Sequence, residues 1–196
     1  MIDRSNDIAS ALLWTTRLVA SRAEAWIETP DGRYRYQLRR TIDPFDGPAA
    51  VFVMLNPSTA AAARDDPTIR RLRGFAARWA CSELIVVNLF ALRSTNPAAI
   101  FAAPDPVGPD NDAFIAAAVD RVAGGRGTLV CAWGAAGRDK WGRAMVDDRA
   151  AAVENHIRSR GVTPLVLRLT KGGRPEHPLY IPAETTPVPW IREERS

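Results

Sequence analysis

The residues of this chain that can do chemistry gather in two loops. Asn56-Pro57-Ser58-Thr59 follows an apolar run, and a neutral amide there holds a water or a ligand hydroxyl without the desolvation cost of a charge. The same Asn-Pro pair also reads as a plain strand terminator. Thr170 to Tyr180 brings together Lys171, Arg174, two glycines and His177 just after another apolar run. Cations on flexible backbone suit a phosphate, and His177, between Glu176 and Pro178, can donate a hydrogen bond to a developing anion. The plainer alternative is a basic surface loop with a solvated histidine. Asp65 and Asp66 suit the N-terminus of a helix, with an auxiliary catalytic role as the other reading. Phe90, Trp133 and Tyr180 end or follow apolar runs, where they stack on a planar base or lid the core. Arg64, Arg70, Arg71, Arg73 and Arg78 read as a solvated helix face, with contact to phosphates as the lesser reading.

Several other chemistries are weak or excluded. Gly134 to Gly137 follows an apolar run but lacks the Gly-Lys-Ser/Thr ending of a phosphate loop and the full dinucleotide fingerprint, which leaves a nucleotide-phosphate enzyme using this stretch as a third, weaker reading. The two histidines, His156 and His177, have no neighbouring ligand spacing for a metal, and no cofactor motif is present. No Gly-x-Ser-x-Gly elbow occurs, and Cys81 and Cys131 lie far apart inside apolar runs, which reads as two reduced, buried thiols. The net charge is +4, and only Lys140 and Lys171 among the 26 basic residues are lysine. Arginine's planar fork fits phosphate, so the composition is compatible with a nucleic-acid or nucleotide partner. No stretch reaches the roughly 20 apolar residues of a membrane span and no signal pattern opens the chain, so a cytoplasmic protein without membrane contact is expected.

The elements that must position these residues follow from punctuation and period. The 196 residues suit one α/β domain, with an extension over 1–25 and a surface tail over 184–196. Leu12, Leu13, Leu18 and Val19 suggest a short helix in the extension. Pro30-Asp31-Gly32 separates Ala25-Trp26-Ile27 from Tyr34, Tyr36 and Leu38, which alternate with arginines and Gln37, predicting an N-terminal hairpin with one wet face. Four short apolar runs, 51–55, 84–87, 128–133 and 165–167, alternate with helical patterns. That order predicts a three-layer αβα sandwich with a mostly parallel sheet. Ligands of such folds bind at the carboxyl ends of the strands, so Asn56, Asn88, Gly134 and Lys171 are expected at one sheet edge.

In combination, Val51 to Ala60, Asp65 to Arg71, Val87 to Arg93, Val130 to Gly134 and His177-Pro-Leu-Tyr180 resemble the domain-of-unknown-function 1643 family over about Gly32 to Pro182. The order of strand plus Asn-Pro, strand plus Asn-Leu, strand plus Gly and a late His-Pro loop is more distantly similar to the uracil-DNA glycosylase superfamily. That resemblance implies a metal-independent glycosylase without cofactor, acting on a modified or damaged base in DNA or a nucleotide, with DNA the foremost partner. It implies that Asn56 orients the hydrolytic water, His177 stabilises charge on the departing base and Asn88 touches the base edge. Pro57, Ser58, Phe90, Lys171, Arg174 and Tyr180 would complete the substrate site, with Asp65 or Asp66 assisting. Two departures stand out: no serine follows His177-Pro178, and no acidic residue occupies the water position of the first motif. The alternative is a non-catalytic nucleic-acid or nucleotide-binding module on the same scaffold.

Overall fold

The computed structural model describes residues 15–19, 24–58, 64–135 and 140–191. Eight strands form one sheet in the order β1-β2-β3-β5-β4-β6-β7-β8. They are β1 (Thr15–Val19), β2 (Glu24–Glu28), β3 (Arg35–Thr41), β4 (Ala49–Met54), β5 (Glu83–Asn88), β6 (Gly127–Cys131), β7 (Leu165–Val166) and β8 (Val188–Pro189). The four strands β5-β4-β6-β7 are parallel, whereas β1 to β3 join β5 antiparallel and β8 joins β7 antiparallel. The architecture is therefore α/β as expected, but the sheet is mixed, because the hairpin extends it instead of standing apart. Leu18 and Val19 pair in β1 and do not form a helix; the rest of that expected helix lies outside the described residues.

Strand β4 has all six of its residues buried, and its alternation divides the interior in two. Ala49, Val51 and Val53 face a cluster with Ile115, Val119, Val153 and Ile157, contributed by α3 (Asn111–Val122) and α4 (Lys140–Ser159). Ala50, Phe52 and Met54 face Leu72, Phe75 and Ala76 of α1 (Pro67–Arg78). Helices thus cover both faces, and the short α2 (Pro97–Ala102) contributes Ile100 to the first cluster. Cys81 and Cys131 are buried and neither forms a disulfide, and burial pushes the Cys81 thiol up.

Helix α1 begins where the sequence directs it. Asp66 is the N-cap and accepts from the Ile69 N–H at 2.8 Å, Pro67 fills the first turn, and Leu72, Phe75 and Ala76 recur on the buried side. Its neighbour Asp65 is instead bound by Arg40 Nε at 2.8 Å and Arg73 Nη1 at 3.4 Å.

The hairpin departs from simple alternation. Ile27 pairs with Gln37 but Glu28 pairs with Arg35, so Tyr36 is an extra residue on β3. This β-bulge reverses the parity of the strand upstream of it. Tyr36 stacks on Phe114 of α3, with ring centroids 5.0 Å apart, while Arg35 and Leu38 both reach the α1 side of the sheet. The expected wet face is accordingly corrected: Arg35 and Gln37 are buried, and of the alternating polar residues within β3 only Arg39 stays exposed.

Candidate functional site

On the α1 face, one helix spans less of the sheet than the helices opposite, and a cavity of about 310 Å³ remains near the carboxyl ends of β4 and β5. That volume lies at the lower end of the roughly 300–1,000 Å³ usual for small-molecule sites. Leu38, Met54 and Val86 of the sheet and Ile69 and Leu72 of α1 give it apolar walls. Its polar groups include Asn56, Ser58, Asn88, Asp66, His177 and Arg35.

The structure brings Asn56, Pro57, Ser58, Asn88, Asp66 and His177 around this one cavity. Asn56 Nδ2 donates to Ser94 O at 2.8 Å and to Pro57 O at 3.0 Å. Two carbonyl acceptors fix the amide orientation, because an amide oxygen in that place would face two other oxygens. Asn56 Oδ1 is left as the group that accepts from a ligand or water. Asn88 is only 5% exposed, and its side-chain amide has no hydrogen-bond partner among the described residues. A buried amide on a cavity wall with both donor and acceptor unspent reads as a recognition group. Its backbone is held from behind by Asn111 Nδ2, which donates to Asn88 O at 3.0 Å and Leu89 O at 3.2 Å.

His177 enters through the last loop. Gly134, at φ +79°, donates its N–H to Pro175 O at 2.9 Å, and a Cβ built on it would lie 3.2 Å from His177 Cβ. The glycine after β6 therefore sets how closely the histidine loop packs. His177 caps the 3₁₀ turn Pro178–Tyr180, Nδ1 accepting from the Leu179 N–H at 3.3 Å. This contact selects the tautomer with hydrogen on Nε2. Burial lowers the His177 pKa below its ordinary value, opposed by the negative charge of Asp66. At neutral pH the ring is thus an uncharged imidazole with one N–H to give.

Other expected site residues lie elsewhere. Phe90 is 1% exposed and packs edge-on against Phe101, so it is a core residue with no face for a base. Trp133 is likewise buried, edge-on to Trp190. Arg174 is held by Asp147 at 2.7 and 2.9 Å, and Lys171 is exposed; neither lines the cavity. Tyr180 is exposed, its ring centroid 5.9 Å from that of His177, and does not line the cavity. Asp65 is occupied by Arg40 and Arg73. Of the proposed glycine-rich stretch, Gly134 packs on His177, while Ala136 and Gly137 lie outside the described residues. Among the described residues, no three His, Cys, Asp or Glu side chains gather as metal ligands, and no helix is long and apolar enough to cross a membrane.

Sequence reading missed Arg35, Ser94 and Thr95, and assigned Arg64 to a solvated face although it stands at the cavity. For Ser94 and Thr95 a signal existed, since Asn96-Pro97 is a helix start that fixes the preceding turn against Asn56. For Arg35 there was none without knowledge of the bulge. Arg35 is 5% exposed, with Nη1 donating to Ser58 O at 3.4 Å and Nε 3.6 Å from Glu28. Burial, and then the neighbouring Arg93, lower its pKa to about 10.

A family model described as "Protein of unknown function (DUF1643)" matches residues 35–179, about three quarters of the chain. The chain belongs to the DUF1643 family. The DUF1643 match opens on Arg35 and closes two residues after His177, so it encloses every residue that lines the cavity. No curated protein and no solved structure matches the chain.

Proposed function

We propose that this DUF1643 protein is glycosylase-like and hydrolyses the N-glycosidic bond of a modified or damaged base, in DNA or a nucleotide. The observation that carries the reading is the meeting of Asn56 Oδ1 and the neutral His177 ring on the walls of one cavity of about 310 Å³ with apolar sides. Cleavage moves the C1′–N electron pair onto the base while a water oxygen bonds C1′. Asn56 Oδ1 accepts a hydrogen from that water and orients its lone pair. His177 Nε2–H donates to the base as negative charge develops there. Asp66, the carboxylate on the cavity wall, takes the water proton and passes it to the departing base. Asn88, with donor and acceptor both available, suits the hydrogen-bonding edge of a heterocycle.

Base release from uracil-, hypoxanthine- and hypermodified-base DNA, and from the matching nucleotides, tests the proposal. Turnover is expected, reduced about 100-fold or more by Asn56→Ala and by His177→Ala. No release across the panel removes the catalytic reading. One observation favours a second reading, binding without catalysis: Asp66 already caps α1 and accepts from Ser58 Oγ at 3.4 Å, which weakens it as a base. Binding without turnover that persists in both alanine variants identifies that case.

A further inference from the structure

We infer that the ligand of this cavity carries a terminal phosphate monoester, as a free nucleotide does, and that Arg35 and Arg64 hold it; the base half of that ligand rests on the reading above. Among the described residues, two guanidinium groups and one carboxylate, Asp66, are the charged side chains on the cavity wall. The carboxylate also accepts from the Ile69 N–H at the N-terminus of α1, and the two guanidinium groups outnumber it. Arg35 is buried, brought to this side of the sheet by the bulge at Tyr36, and fixed from behind by Glu28. Glu28 in turn also pairs with Arg93 at 3.3 Å, so one carboxylate serves two guanidinium groups. Arg64 is exposed and has no hydrogen-bond or ion-pair partner among the described residues. A planar fork inside a cavity wall and an exposed cation at its rim are an arrangement for an oxyanion with several acceptor oxygens.

The position of Arg35 also bears on which phosphate. A guanidinium buried within the cavity reaches only an anion that enters with the base. The bridging phosphates of a strand are carried past such an opening on the polymer, whereas the terminal dianion of a mononucleotide can follow its base inside. The loop cations that the sequence offers for a phosphate are engaged or remote: Arg174 is bound to Asp147, and Lys171 stands outside the cavity. Asn88, buried and without a partner among the described residues, marks the same cavity as a place where a polar ligand is awaited.

Calorimetric titration of the full chain with dUMP and IMP, their nucleosides, ribose 5-phosphate and a short single-stranded oligonucleotide tests this. The monophosphates are expected to bind about ten- to a hundredfold more tightly than the nucleosides, the range for hydrogen bonds to a charged group. Arg64→Gln and Arg35→Lys should each erase much of that difference and leave nucleoside affinity in place. Arg64 is exposed, so its variant keeps the test valid even where a change at Arg35 disturbs folding. Nucleosides binding as well as their monophosphates overturn the phosphate site and leave the base reading intact. An oligonucleotide preferred over mononucleotides overturns it in favour of a strand. Ribose 5-phosphate binding that depends on Arg64 while no base adds affinity upholds the phosphate site and removes the base reading. Silence from every probe removes both.

Discussion

Replacing Gly134 by alanine separates backbone strain from damage to the site. Gly134 sits at φ +79°, where an L-residue with a Cβ costs about 1–2 kcal/mol. Alanine also stiffens the unfolded chain, which returns up to about 1 kcal/mol, so strain alone leaves a net loss of about 1 kcal/mol. In a chain of this length that is a fall of about 2–4 °C in Tm. The second effect is local: the new Cβ meets His177 Cβ at 3.2 Å, and the loop must give by a few tenths of an ångström. Gly124, at φ +72° with nothing within 4 Å of a built Cβ, supplies the control. Gly124→Ala should show the same backbone loss in urea unfolding and an unaltered site. Gly134→Ala should lose more stability and, in the base-release or nucleotide-titration assay, about tenfold in function, short of the cost of removing the His177 donor outright. Equal behaviour of the two variants in both measurements would refute the claim that Gly134 positions the histidine.

Three further outcomes follow from the same contacts. Asn56→Asp puts a carboxylate against Ser94 O and Pro57 O in place of a donor to both, and urea unfolding at pH 7 should show a loss of about 2–3 kcal/mol. Asp65→Asn removes the charge that accepts from the fully buried Arg40 guanidinium; about 3 kcal/mol should be lost without any change in ligand affinity, and a change in affinity would return Asp65 to the site. Protonating His177 puts a hydrogen on Nδ1 where the Leu179 N–H already points, in keeping with a folded pKa below the ordinary 6.5. The unfolded chain then binds the proton more readily, so stability contributed by neutral His177 is present above about pH 6.5 and is lost as pH falls from there toward the lower folded value. Urea midpoints measured from pH 7.5 to 5 should show this fall in the native chain and a smaller one in His177→Gln.

What could be read from the residues alone was the part governed by local rules. Four buried runs separated by helical patterns fixed the layers, because parallel strands covered on both faces cannot alternate in polarity. Asp66-Pro67 announced the start of α1, and the polar residues at the carboxyl ends of β4 and β5 pointed to the edge where Asn56 and Asn88 line one cavity. The chemistry assigned to Lys171, Arg174 and Phe90 was not legible, because each choice depended on a side-chain direction. Arg174 finds Asp147 on α4, twenty-seven residues upstream, and Phe90 turns into the core against Phe101. Ion pairs and core contacts between distant segments have no period and leave no mark in the local sequence.

Arg35 shows the same limit from the opposite direction. Strict alternation from Leu38 back through the hairpin puts position 35 on the face of Gln37 and Arg39, away from α1. One additional residue, Tyr36, reverses this, and its ring finds a partner in Phe114 while Arg35 turns to the cavity. The bulge thus delivers a cation to the site by means of an aromatic contact on the far face of the sheet. Tyr36→Val keeps strand propensity but removes the stack with Phe114, so it weakens the packing that holds the extra residue in place. If that stack pins the bulge, Tyr36→Val should lower the affinity gained from a phosphate without touching any residue that lines the cavity.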